Sequence, residues 1–158
     1  MSKNRIKMVC MLERYLDSKN HCIRRVTQDD KKRIAKAMLD AYMCTVDQQE
    51  DTFEEALCEV ENIFNNKYGP LIAEASLIIE KEGEVASIIL ITLYEETPLI
   101  IEIFTGKKYY KQGMATSLIN ASMNELLSLG YKQLCLYVKE ENIEAIHLYK
   151  KLGFEIVE

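Results

Sequence analysis

Apolar residues recur at two spacings along this chain, and the switches between them mark its elements. Ile34, Ala37, Met38, Ala41 and Tyr42 fall at i, i+3 and i+4 spacing, which predicts a helix over roughly residues 29–44, with Gln28, Asp29 and Asp30 offering caps. A clearer helix follows: Thr52 and Glu55 form a capping-box pair, and Phe53, Ala56, Leu57, Val60 and Phe64 line one side. After Lys67-Tyr68-Gly69-Pro70 the pattern turns to strands. Residues 71–79, 84–94 and 99–105 are mostly apolar runs, separated by the turns Glu80-Lys81-Glu82-Gly83 and Glu95-Glu96-Thr97-Pro98. A meander this apolar belongs at the centre of a sheet. A helix (113–129), a strand (132–138), a helix (142–152) and a short strand (153–157) complete the order, and such alternation implies parallel pairing through right-handed crossovers. Near the start, residues 21–27 read as a short strand, and Ile6, Val9, Cys10 and Leu12 give a loose apolar face that predicts a helix within 1–17. The expected class is α+β (α/β three-layer): a central mixed sheet of about six strands with helices on both faces. Residues 1–20 are expected as an extension and 21–158 as one domain.

Composition narrows this little. A chain of 158 residues with 48% hydrophobic and 28% charged residues suits one globular domain. No apolar run approaches the roughly 18 residues of a membrane span. Glu13 and Arg14 interrupt the first apolar stretch, unlike a secretory signal, so a cytoplasmic location is expected. Cys10, Cys22, Cys44, Cys58 and Cys135 are scattered, with no C-x-x-C pair. They suggest neither a disulfide framework nor a metal site, and read as small buried apolar residues.

Charge is more informative. The net value is −5, which argues against non-specific nucleic-acid binding. Residues 104–151, however, hold seven lysines and four glutamates, a local excess that suits a small anionic ligand. Residues 47–61 hold seven acidic residues and no Lys or Arg. That stretch is either a solvated face or a lip that attracts cationic substrates.

The basic segment surrounds Tyr110-Lys111-Gln112-Gly113-Met114-Ala115, where a strand ends and helical periodicity begins. The first N–H groups of a helix lack intrahelical partners and, with the dipole, attract anions. Gly113 permits close approach, and Lys107, Lys108 and Lys111 add charge. A single glycine in such a turn is common in loops that bind nothing. Further on, Asn142 stands at a helix start, Tyr149 lies among apolar positions, and Gly153 marks the stop. Taken alone, these are an ordinary N-cap and a core tyrosine.

Together, the order strand, glycine turn, helix, strand and then N-x-x-A-x-x-x-Y-x-x-x-G-F (Asn142 to Phe154) resembles the GNAT superfamily of acetyl-CoA-dependent N-acetyltransferases. The fold order matches from about residue 21, and the specific part runs from Leu99 to Phe154. The family's turn reads Q/R-x-x-G-x-G/A, and here Tyr110 replaces the leading Gln or Arg. The resemblance implies that acetyl-CoA lies between two splayed parallel strands, Leu99–Thr105 and Leu134–Val138. It implies backbone contacts from Ile103 and Thr105 to the pantetheine arm, with the Ile103 N–H also polarising the acetyl carbonyl. Amides of Tyr110, Lys111, Gln112, Gly113, Met114 and Ala115 would hold the pyrophosphate, and Asn142 would contact the pantetheine. Tyr149 would protonate the leaving thiolate after direct attack by a small-molecule or peptide primary amine, through a tetrahedral intermediate.

No general base is apparent by the same route. Family members that use one place it on the strand that is here Leu99–Thr105, where Leu99 and Ile101 match the substrate-facing positions. Alternation turns Glu102 away unless a bulge shifts the phase, and Glu74, Glu80 and Asp47 are more distant options. His21 and His147 read as surface or structural residues. The chain also has only four residues after Phe154, where the family continues to a last strand. That strand is absent, or another chain supplies it in a homodimer, or residues 1–20 cover its place. A non-catalytic acyl-CoA-binding regulatory or dimerisation domain is the alternative to an enzyme.

Overall fold

In a computed structural model, residues 4–14 and 21–157 are described. They form seven strands and four α-helices in the order β1 (Arg5–Met11), β2 (Ile23–Arg25), α1 (Lys31–Tyr42), α2 (Phe53–Phe64), β3 (Leu77–Lys81), β4 (Glu84–Tyr94), β5 (Thr97–Thr105), α3 (Met114–Ser128), β6 (Gln133–Lys139), α4 (Ile143–Lys151) and β7 (Glu155–Ile156). One mixed sheet runs β2-β3-β4-β5-β6-β1-β7, antiparallel throughout except between β5 and β6.

Strand alternation splits the core in two. Ile78, Ile88 and Leu90 face α1 and α2, packing with Ile34, Met38, Val60 and Ile63. Leu77, Ile79, Ile89 and Ile91 face the other way, toward Leu118, Met123 and Leu126 of α3 and Ile146 and Tyr149 of α4. All these residues are buried, and full burial of one such side chain is worth about 1.5–3 kcal/mol, which is why both sheet faces are covered by helices. At one end, Arg24 forms a two-pronged pair with Asp30 at 2.9 Å and also reaches Glu80. Arg33 binds Glu80 as well, so the start of α1 is tied to β2 and β3.

Three features depart from the sequence reading. The expected N-terminal helix is the strand β1. Ile6, Met8, Cys10 and Leu12 alternate into the α3–α4 side of the core, a period of two that competes in the same short run with the helical spacing of Ile6, Val9 and Cys10. β1 pairs antiparallel along β6 and carries β7 on its outer side, so β6 is not an edge of the sheet. The remainder of the expected helix, beyond residue 14, lies outside the described residues. Secondly, Cys22, Cys44 and Cys58 are exposed, and only Cys10 and Cys135 are buried. Cys58 falls on the solvent side of α2, between the buried positions Ala56 and Val60.

The third departure is a bulge in β5. Leu90 of β4 pairs with Glu102, but the next residue, Ile91, pairs with Ile100, so Ile101 is an extra residue. Ile100 and Ile103, three apart, pack into the same half of the core, which strict alternation forbids. The phase of β5 changes at this point. Beside it, parallel pairing with β6 holds only at Leu99–Cys135 and Ile100–Leu136, after which the two strands part.

Candidate active site

Two hollows meet where β5 and β6 separate. The larger is a groove of about 760 Å³ along the loop from Tyr109 to Thr116, the end of β5 and one side of α4. The smaller is a cavity of about 340 Å³ on the other side of the gap, walled by β5, β6, the first residue of β1, and the segment around α2. Tyr42, Asp47, Ile103, Asn142, Ala145 and Tyr149 line both.

The groove is made largely of backbone. Gly113 occupies the N-cap position of α3 with φ +77°, a left-handed conformation that glycine adopts without a Cβ penalty. No side chain caps the helix, and its first intrahelical bond runs from the Ser117 N–H to the Gly113 carbonyl at 3.0 Å. The N–H groups of Met114, Ala115 and Thr116 are therefore left without intrahelical acceptors, at the positive end of a 15-residue helix. Tyr110, Lys111 and Gln112 lead into this turn and are exposed, with Lys111 also left-handed at φ +63°. The His21 Nε2–H donates to the Gln112 carbonyl at 3.0 Å, whereas His147 is exposed on α4. Every residue singled out for the cofactor (Ile103, Thr105, Tyr110, Lys111, Gln112, Gly113, Met114, Ala115 and Asn142) lines this one groove. Lys151 joins them from α4, a position the sequence reading passed over.

Asn142 does two jobs at the junction. Its carbonyl oxygen accepts from the Ala145 N–H at 3.2 Å, capping α4, and its amide donates to Asp47 at 2.7 Å. Tyr149 lies one turn beyond Ala145, buried, with its ring edge-on to Phe154 at 5.7 Å. Burial, then the charges of Asp47 and Glu102, hold its hydroxyl well above the ordinary tyrosine range, so it stays protonated.

The cavity is made of side chains. Glu102, expected to turn away, lines it instead, because the Ile101 bulge resets the phase. The Tyr42 hydroxyl makes a short contact to Glu102 Oε1 and lies 2.8 Å from the Ile103 carbonyl oxygen. Burial pushes the Glu102 carboxyl up to about 8, opposed by the hydrogen bond that Tyr42 donates to it. Tyr42 itself is raised far above its usual range by burial and by Glu102. Glu50 and Glu59 stand across the cavity. Glu59 accepts from the Tyr68 hydroxyl at 2.6 Å, and the Glu50 carboxyl is raised by burial and by neighbouring Glu59 and Glu55. Of the other carboxylates considered as a base, Asp47 reaches the junction, Glu80 is held by Arg24 and Arg33, and Glu74 lines neither hollow. Among the described residues, no group of three His, Cys, Asp or Glu could hold a metal ion, and no helix is long and apolar enough to cross a membrane.

Comparison with known proteins gives this arrangement its class. Residues 35–154 match the Acetyltransferase (GNAT) family, and the chain belongs to it. Mycothiol acetyltransferase of Corynebacterium aurimucosum is 30% identical over 67 residues, a stretch covering 40% of this chain and 22% of that one. The match thus spans about a fifth of that relative's length. Among solved structures, a GCN5-related N-acetyltransferase from Sphaerobacter thermophilus superimposes with a TM-score of 0.75 at 16% identity, covering 97% of this chain and 48% of that one. The PaiA N-acetyltransferase of Thermoplasma acidophilum, solved in complex with coenzyme A, gives 0.72 at 15% identity and covers 88% and 92%. At these identities the structural matches establish the fold.

Proposed function

We propose that the protein transfers an acetyl group from acetyl-CoA to a primary amine. The observation that carries this reading is the position of Tyr149 and Ile103 in the walls of both hollows, where a cofactor in the groove meets an acceptor in the cavity. The groove fits the cofactor chemically. Its uncapped helix start offers amides to a pyrophosphate, and the parted edges of β5 and β6 offer backbone groups to an amide-bearing arm. Residues Tyr110 to Ala115 hold the pyrophosphate, Ile103 and Thr105 pair with the pantetheine, and Asn142 steadies the arm where the hollows join. Bound acetyl-CoA supplies the thioester that is attacked.

The chain's own groups handle the protons. An amine reaches the cavity mostly as its ammonium, and Glu102, with a carboxyl near 8, takes one proton from it beside Tyr42. The freed amine forms the new C–N bond directly, with no covalent enzyme step. Ile103 N–H donates to the carbonyl oxygen as charge gathers there. As the C–S bond breaks, Tyr149 gives its proton to the thiolate, and the tyrosinate takes back the second proton that the new amide nitrogen sheds. The acidic wall of Asp47, Glu50 and Glu59 supports a positively charged acceptor.

Calorimetric titration with acetyl-CoA, followed by thiol release across a panel of amines, tests the reading. We expect micromolar binding and turnover, with Tyr149→Phe lowering turnover about 100-fold while affinity changes little. Absence of binding at high micromolar acetyl-CoA would sink it. Binding without turnover, with Tyr149→Phe inert, would point to a non-catalytic acyl-CoA-binding domain.

A further inference from the structure

Arg5 and Lys139 stand directly opposite each other where β1 meets the free end of β6, and both line the cavity that holds Glu102. Side chains at directly opposed strand positions share a face, and like charges placed there repel. The two cations are not equivalent. Lys139 Nζ donates to the Val46 carbonyl, whereas the side chain of the half-buried Arg5 makes no hydrogen bond or ion pair with any described residue. A planar guanidinium without a side-chain partner among the described residues, held beside a second cation in a cavity of about 340 Å³, offers a seat for one oxyanion. Its charge is felt at Glu102, where it opposes the effect of burial.

We infer that the acceptor carries a carboxylate as well as its amine, and that Arg5, beside Lys139, binds that carboxylate while Glu102 receives the amine. This rests on the acetyl-transfer reading and narrows it to amino acids and related amino carboxylates. A single negative charge matches the one guanidinium that lines the cavity. A phosphate dianion fits worse, because Asp47, Glu50 and Glu59 line the same cavity. The specificity determinant thus comes from β1, the strand that covers the outer edge of β6.

Rates of thiol release should be compared for glycine, β-alanine, 5-aminovalerate and L-lysine against their decarboxylated counterparts methylamine, ethylamine, butylamine and cadaverine. For at least one pair the carboxylate should raise kcat/KM by about 10- to 100-fold, the scale of a charge-assisted hydrogen bond. Arg5→Gln should bring that ratio toward unity, and Arg5→Lys should restore part of it. If Arg5 merely tunes Glu102, Arg5→Gln would move the pH profile equally for both members of each pair, and the inference fails. It fails also if the decarboxylated amines serve as well as their parents. Should no acceptor turn over, calorimetry on the protein saturated with coenzyme A decides: 5-aminovalerate must bind more tightly than butylamine in an Arg5-dependent way, and equal binding or none overturns the subsite. Failure of acetyl-CoA itself to bind is a separate outcome, and it removes the acetyl-transfer reading beneath.

Discussion

The groove and the cavity share a wall at Tyr149 but are built from different materials. The groove takes its chemistry from main-chain geometry: an uncapped helix start, a left-handed glycine and two strands that part. The cavity takes its chemistry from ionisable side chains on five separate segments, among them Arg5, Tyr42, Glu59, Glu102 and Tyr149. Main-chain donors hold fixed dipoles whose strength does not depend on pH, and any residue with the right φ and ψ can supply them. Side-chain carboxyls can accept and release protons, but only burial and neighbours place them at a useful pKa. One half of the site should therefore be sensitive to shape and bulk, and the other to protonation.

The strongest way to break this division is at Gly113. Gly113→Glu puts a Cβ on a residue at φ +77° and a negative charge at the helix start where the pyrophosphate is proposed to lie. The left-handed conformation alone costs an ordinary residue about 1–2 kcal/mol. With charge repulsion added, acetyl-CoA affinity should fall by about 100-fold or more, an effect of roughly 3 kcal/mol, read by calorimetry at several pH values. The loss should be much the same at each pH. A loss that vanished at alkaline pH would show that the groove, too, depends on a titrating side chain.

Glu102→Gln probes the other half. We expect kcat/KM to fall about 100-fold with acetyl-CoA affinity nearly unchanged. The pH profile is the sharper readout. A base must be ionised to accept a proton, so wild-type kcat/KM should rise with pH and level off above about 8, where the Glu102 carboxyl has lost its proton. In Glu102→Gln that rise should disappear. Tyr42→Phe removes a hydrogen bond that lowers the Glu102 carboxyl against burial, so the same midpoint should move upward in that variant. A midpoint unchanged by both substitutions would assign the ionisation elsewhere.

The same division governs what could be read from the sequence. Gly113, Asn142 and Tyr149 sit at fixed spacings within one strand–helix–strand–helix run, so the resemblance to the family could be recognised there, and the residues it selects for the cofactor line one groove. Both long helices of the other face follow equally from their apolar stripes and, for α2, from the Thr52–Glu55 capping box. The cavity resists such reading for two reasons. Its residues come from β1, the α1–α2 segment, β5, β6 and α4, so nothing in the local sequence joins them. And the feature that aims Glu102 inward is one extra residue in the β4–β5 ladder, within a run of isoleucines where no glycine or proline marks the bulge. β1 was hidden differently: Ile6, Met8, Val9, Cys10 and Leu12 satisfy both periods, and only pairing with β6 decides between them.

The smallest effect expected is on stability, and it separates the cavity from the rest of the fold by its sign. Glu102 has an ordinary carboxyl value of 4.5 when exposed and about 8 when folded, so between those values the folded protein binds more protons than the unfolded chain. Stability from this group is therefore full below about 4.5 and drains as pH rises through about 8. Asp30 behaves in the opposite way: its bond to Arg24 lowers its carboxyl, so its contribution is present at neutral pH and is lost as pH falls below the ordinary aspartate value of 3.8. Replacing Glu102 by Gln removes the ionisation without adding bulk. The Tm of Glu102→Gln should match wild type near pH 5 and exceed it by a widening margin of a few degrees toward pH 8–9, since about 1 kcal/mol moves Tm by roughly 2–8 °C in domains of this size range. Asp30→Asn should instead lie below wild type at pH 7 and approach it in acid. Thermal melts of the three proteins from pH 3 to 9 provide the check, and a constant offset for Glu102→Gln would mean that this carboxyl is not held protonated by its burial.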